Sequence, residues 1–143
     1  MVTTAPLPAA PNAASKAGPA SSAAPPSLAD FAWAGAGGLR LAASAAGPLG
    51  APVEVLFAHG FGQTRQAWTR TMRALATAGV ASAAWDMRGH GQSGRNPSEA
   101  PYAVEHFIDD ALAIRSTLST PPVLVGASMG GLVGLAAQSR GAG

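Results

Sequence analysis

Val123-Leu124-Val125-Gly126-Ala127-Ser128-Met129-Gly130-Gly131-Leu132-Val133 is the stretch on which the fold of this 143-residue chain depends. Val123 to Val125 read as a short strand, and Leu132, Val133, Leu135 and Ala136 beyond the glycines read as a helix over Gly131 to Ala137. Between them, Gly126-x-Ser128-x-Gly130 has the pattern of a sharp strand-to-helix turn. A hydroxyl is a poor nucleophile until a base takes its proton, and its attack on a carbonyl creates an oxyanion that needs hydrogen-bond donors. Such a turn meets part of that need. It lifts the Ser128 hydroxyl above the sheet edge, directs the Met129 N–H at the forming oxyanion, and adds the positive end of the helix that starts there. In a chain with 18 glycines the pentapeptide alone is weak evidence, and its weight comes from the strand before it and the helix after it.

Working toward the N-terminus, Pro121 and Pro122 close a helix predicted over Tyr102 to Leu118. Its apolar side carries Val104, Phe107, Ile108, Ala111, Leu112 and Leu118, while Glu105, Asp109 and Arg115 can face water. Val80 to Trp85 reads as a buried strand that delivers the polar loop Asp86-Met87-Arg88-Gly89-His90-Gly91-Gln92-Ser93-Gly94. Before it, Thr64 is placed to cap a helix running to Ala78, closed by Gly79, with Trp68, Met72 and Leu75 on one side and Arg65, Arg70 and Arg73 elsewhere around it. Val53 to Phe57 is a β-branched and aromatic strand running into His59-Gly60-Phe61-Gly62, and Phe31 to Ala34 and Leu39 to Ala43 make a weaker hairpin at the sheet edge around the Gly35 to Gly38 turn. Strand alternating with helix three times over is the rhythm of an α/β fold with a mostly parallel sheet and flanking helices.

Composition narrows the partners. Among nine basic residues Lys16 is the only lysine, and the eight arginines are scattered instead of clustered, so with a net charge of +2 nothing points to nucleic acid. There is no cysteine, which removes disulfides, thiolate metal sites and a thiol nucleophile. No run approaches the apolar length of a membrane span, and the chain reads as a soluble, cytoplasmic protein with no membrane partner, no metal and no organic cofactor. Residues 1–29 form an Ala/Pro-rich extension, expected to be disordered or to reflect an over-extended start; prolines interrupt every candidate signal-peptide core and no arginine marks a transit peptide. Residues 30–143 hold the folded part.

Taken in order, the three loop motifs His59-Gly60-Phe61-Gly62, Asp86 to Ser93 and Gly126 to Gly131 resemble the N-terminal part of the α/β-hydrolase superfamily, in its compact esterase, lactonase and perhydrolase-like branch. The similarity covers about Asp30 to Arg140. It implies an incomplete α/β-hydrolase fold ending just past the nucleophile elbow, with Ser128 as nucleophile and the backbone N–H of Phe61 as a second oxyanion donor beside that of Met129. Ser stands where haloalkane dehalogenases and epoxide hydrolases carry Asp, which argues against those two chemistries. His59 and His90 resemble structural loop residues of the family. His106 reads as a surface or boundary residue, Asp86 and Arg88 as organisers of their own loop through hydrogen bonds and an ion pair, Asp109 and Asp110 as groups on the helix surface or behind the site, and Trp68 and Trp85 as core.

In this superfamily the acid and then the base follow the serine along the chain. The fifteen residues after Ser128 include no Asp, Glu or His. The expectation is therefore a serine hydrolase acting on an ester, lactone or similar small acyl substrate through a Ser-acyl intermediate, read here only up to the elbow. The alternative is an inactive remnant, or one half of a split enzyme that associates with a partner through the exposed sheet edge at Val123 to Val125.

Overall fold

The computed structural model describes residues 26–97 and 100–141, so most of the 1–29 extension lies outside the described residues. Five strands and three helices follow one another as β1 (Ala29–Ala34), β2 (Arg40–Ala46), β3 (Val55–Ala58), α1 (Thr69–Thr77), β4 (Ser82–Trp85), α2 (Val104–Ser116), β5 (Val123–Gly126) and α3 (Met129–Gly141). They build one sheet in the order β1-β2-β4-β3-β5. The first pair is an antiparallel hairpin, β2 runs antiparallel to β4, and β4, β3 and β5 are mutually parallel. The hairpin thus sits at the edge, as its weak composition suggests, and the β-branched segments supply the parallel part.

The order of the parallel strands decides where a site can form. From β3 the chain moves by α1 to β4 on one side; from β4 it moves by α2 back across β3 to β5. The two helices therefore cover opposite faces. Phe57, Met72, Ala84 and Ala46 pack together on the α1 side, joined by Trp68 and Leu75. Leu41, Leu56, Trp85, Met87, Phe107, Ile108, Ile114 and Val133 pack on the α2 and α3 side. The loops leaving β3 and β5 diverge toward opposite faces, and the crevice between their C-terminal ends is the switch point at which open α/β sheets bind ligands.

Several elements differ from their sequence reading for physical reasons. β2 runs three residues past Ala43 because Ala45 and Ala46 find partners in Ala83 and Ser82 of β4, so sheet pairing outweighs the poor strand propensity of alanine. Helix α1 begins at Thr69: Arg65–Trp68 is a turn of 3-10 helix, and Thr64 makes no side-chain cap. The C-terminus falls at Gly79 as expected, with the Gly79 N–H bonded to the Ala76 carbonyl and the Val80 N–H to that of Leu75. α2 starts at Val104, which is exposed instead of joining the apolar side, and it stops at Ser116, well before the prolines. Leu28 packs on the α1 side and β1 opens at Ala29, so the sheet starts one residue before Asp30. Among the described residues no helix is long and apolar enough to cross a membrane.

Met72 is fully buried and is the one buried side chain α1 places on the sheet. Met72→Ala is expected to cost ~2–5 kcal/mol of unfolding free energy, read as a lowered urea midpoint.

Candidate active site at the ends of strands β3 and β5

Strands β3 and β5 pair with Ala58 opposite Gly126, and the Ala127 N–H donates to the Ala58 carbonyl at 3.1 Å. The chain can turn there only because of two glycines. A Cβ on Gly126 would collide with the backbone of Gly130 and Gly131, and one on Gly130 would collide with the carbonyls of Ala58 and His59. Ser128, between them, is the only non-glycine residue with positive φ among the described residues, at φ 52. Such a conformation costs ~1–3 kcal/mol and persists where the surroundings enforce it. The Ser128 side chain is exposed, and α3 begins at the next residue, two residues earlier than Gly131.

Opposite the elbow, Gly60 to Gln63 forms a tight turn in which nearly every amide is engaged. The Gln63 N–H donates to the Gly60 carbonyl at 3.0 Å, the Gly60 N–H to Gln63 Oε1 at 2.9 Å, and the Gly62 N–H to His90 Nε2 at 3.0 Å. Among the described residues the N–H of Phe61 has no partner, and neither has that of Met129. Phe61 and Met129 both line one cavity of about 660 Å³, together with Gln63, His90, Tyr102 and Phe107. The two residues whose amides were expected to hold an oxyanion thus line one cavity, and neither amide is engaged elsewhere among the described residues. Gln63 both lines the cavity and closes the turn, the latter through a side-chain contact that sequence does not disclose.

The histidines are held as scaffold. His59 is fully buried; its Nε2 accepts the Met87 N–H at 2.9 Å, which leaves the proton on Nδ1, 2.7 Å from the Gly60 carbonyl. Burial is the main cause that lowers its pKa below 6.5, with His90 adding to the effect and the Gly60 carbonyl and Asp86 opposing it. His106 is half-buried at the start of α2, where Nδ1 accepts the Ala103 N–H.

Two buried ion pairs fix the loop after β4, and neither is the one expected. Asp86 pairs with Arg65 at 2.5 Å and also accepts the N–H groups of Arg65 and Gln92. Arg65, only 4% exposed, reaches Ser44 and Gln92 as well, so its place is inside. Arg88 grips Asp110 with two bonds of 2.9 and 2.7 Å and adds Asn96 and the Ala36 carbonyl. That bonding is the main cause raising the Arg88 pKa above its ordinary value. Asp110 is 1% exposed, so of the two readings open for it the helix-surface one falls, whereas Asp109 is exposed. The signal was present, since Asp110 lies three residues after Phe107 and four before Ile114, in line with the buried face. Trp85 is core; Trp68 is half-buried and stacks on Phe57 with centroids 4.7 Å apart. Among the described residues no cluster of His, Asp and Glu could hold a metal ion.

Comparison with known proteins follows the same outline. The family model for the alpha/beta hydrolase fold matches residues 54–140, more than half of the chain. An epoxide hydrolase of Caballeronia sordidicola is 39% identical over 82 residues, which are 57% of this chain and 25% of that protein. The crystal structure of epoxide hydrolase VrEH1 from Vigna radiata superposes with a TM-score of 0.68 at 28% identity, over 77% of this chain and 33% of that one. A thioesterase domain from the curacin biosynthetic pathway gives 0.73 at 28% identity, over 80% and 40%. The chain therefore spans about a quarter of the curated relative's length. The first two names lie outside the esterase, lactonase and perhydrolase-like branch that the motifs resemble.

Two outcomes follow from the geometry. Asp86→Asn leaves Arg65 buried against a neutral amide and should cost ~3–5 kcal/mol in urea unfolding, whereas Asp109→Asn, on the surface, should change it by less than about 0.5 kcal/mol. His59 is neutral in the fold while the unfolded chain takes up a proton below 6.5. Its contribution is therefore full above that pH and falls as pH drops below it, by at most ~1.4 kcal/mol per pH unit. Urea unfolding at about pH 7.5 and about pH 5.5 checks this, with lower stability expected on the acid side.

Proposed function

The chain belongs to the α/β-hydrolase fold family, and from that footing we propose that Ser128 is the nucleophile of an acyl hydrolase. Its Oγ attacks the carbonyl of an ester, lactone or similar small substrate, the N–H groups of Phe61 and Met129 hold the oxyanion, the substrate C–O bond breaks and its alcohol oxygen takes up the proton that Ser128 gave up, and water then releases the acid from the Ser-acyl intermediate. The reading rests on one arrangement: a serine in a strained elbow whose following amide, like that of Phe61, is unengaged, with Phe61 and Met129 lining the same cavity.

The names of two relatives favour a second reading, epoxide opening. The chemistry of residue 128 weighs against it. A carboxylate that opens an epoxide becomes an ester, which water can cleave at its carbonyl. A serine oxygen that did the same would become an alkyl ether, with no carbonyl to attack, and turnover would stop.

The proton of Ser128 needs a base. His59 and His90 have both ring nitrogens engaged, and residues 129–143 contain no Asp, Glu or His. We place the acid and base on further polypeptide seated against β5, which is the edge of the described sheet, carries the exposed Val123 and packs against α3 with its exposed Leu132 and Leu135.

The 143-residue chain should cleave a p-nitrophenyl ester no faster than its Ser128→Ala variant. Co-expressed with the adjacent coding region it should gain hydrolysis that Ser128→Ala lowers by about a thousandfold or more. Turnover of styrene oxide instead of the ester would favour the second reading, and absence of both complex and activity would end the split-enzyme proposal.

A further inference from the structure

The loop after β4 reaches the oxyanion turn through one side chain. His90 Nδ1 lies 3.1 Å from the carbonyl of Arg88, and its Nε2 lies 3.0 Å from the N–H of Gly62. A carbonyl only accepts and an amide only donates, so the proton is on Nδ1 and Nε2 is a lone-pair acceptor. The ring is wedged in place, edge-on to Phe61 with centroids 5.5 Å apart and 5.0 Å from that of His59. Its anchor is firm, because the Arg88 side chain is locked to Asp110 on α2.

We infer that His90 is a positioning residue for the oxyanion turn. With Gln63 closing the turn from within, His90 occupies the Gly62 amide from outside and leaves the preceding amide, that of Phe61, as the unengaged donor of the turn. An oxyanion donor works only when it is already aimed before charge develops, since reorientation during the reaction would consume the stabilisation it supplies. The Phe61 N–H is on a loop, and loops drift unless held. His90 holds this one to β4 and, through Arg88, to α2. Its catalytic meaning rests on Ser128 acting as an acyl nucleophile; its hold on the turn does not.

The test therefore has two parts. In the nitrogen-labelled 143-residue chain, NMR should show a scalar coupling across the Gly62 N–H to His90 Nε2 hydrogen bond and His90 as the Nδ1–H tautomer. Hydrogen exchange at Gly62 should quicken by about tenfold or more in His90→Leu, while His90→Gln, whose Oε1 can accept in place of Nε2, should keep the protection. No coupling in the native chain, or equal exchange in the native chain and His90→Leu, overturns the inference even if the variants fold poorly, because the coupling is read on the unaltered protein. Where the assembled hydrolase is active on the p-nitrophenyl ester, His90→Leu should lower kcat by about tenfold or more with KM little changed, and His90→Gln should restore most of it. An unchanged kcat in His90→Leu overturns the catalytic half, and an assembly without any ester hydrolysis bears on Ser128 and leaves the coupling to decide His90.

Discussion

Parallel pairing of β3 with β5, with Ala58 opposite Gly126, is the constraint on which the site depends. The two strands do not follow one another in the chain; the whole of α1, β4 and α2 lies between them. Their contact brings the Gly60 to Gln63 turn beside the Ser128 elbow, and the connections leaving them on opposite faces open the crevice where a substrate can enter. A slip of one residue would reverse the faces of β5 and carry the elbow away from the turn. The register is held by more than the ladder, since the backbone of Gly130 rests so closely on the carbonyls of Ala58 and His59 that no side chain fits between.

Buried charge does the second part of the work. Asp86 and Arg88 begin the same loop yet pair outward in different directions, Asp86 with Arg65 before α1 and Arg88 with Asp110 on α2. Desolvating four charged groups is costly, and their attraction offsets that only with close geometry and further hydrogen bonds. Here both carboxylates accept several donors and both guanidinium groups reach additional acceptors. Such pairs add less to stability than apolar packing would, but they leave the loop one arrangement, anchored through both helical layers. That rigidity is what allows His90, at the loop's crest, to fix a turn belonging to another strand.

Much of this was legible in the sequence, and the limits are instructive. The order of strands and helices, the Gly79 stop and the elbow at Ser128 come from local pattern: alternating apolar runs, a glycine after a helix, two glycines around a serine. What escaped was every pairing between segments far apart. For Arg65 helical periodicity gives only a position elsewhere around the helix from Trp68, Met72 and Leu75, whereas its partner Asp86 is set by the return of β4 beside β3. The end of β2 was missed for the same reason, since Ala45 and Ala46 become strand through β4. Asp110 was the readable exception, a carboxylate in the apolar line of its helix, which calls for a buried cation somewhere. The fold does not choose the reaction, because fold neighbours named for different reactions share the scaffold.

The site's two free amides come from different elements, one from a loop after β3 and one from the first turn of α3. Neither is aimed by the other. The Met129 amide takes its direction from the strained elbow and from α3, which is fastened to the sheet through Val133 and Ala137. The Phe61 amide takes its direction from Gln63 and His90. The two amides are therefore held by independent constraints, and the strain at Ser128 is tolerable because its neighbours are pinned: a turn free to relax would give up the positive φ and with it the orientation of the Met129 N–H. An elbow needs its sheet register as much as it needs its serine.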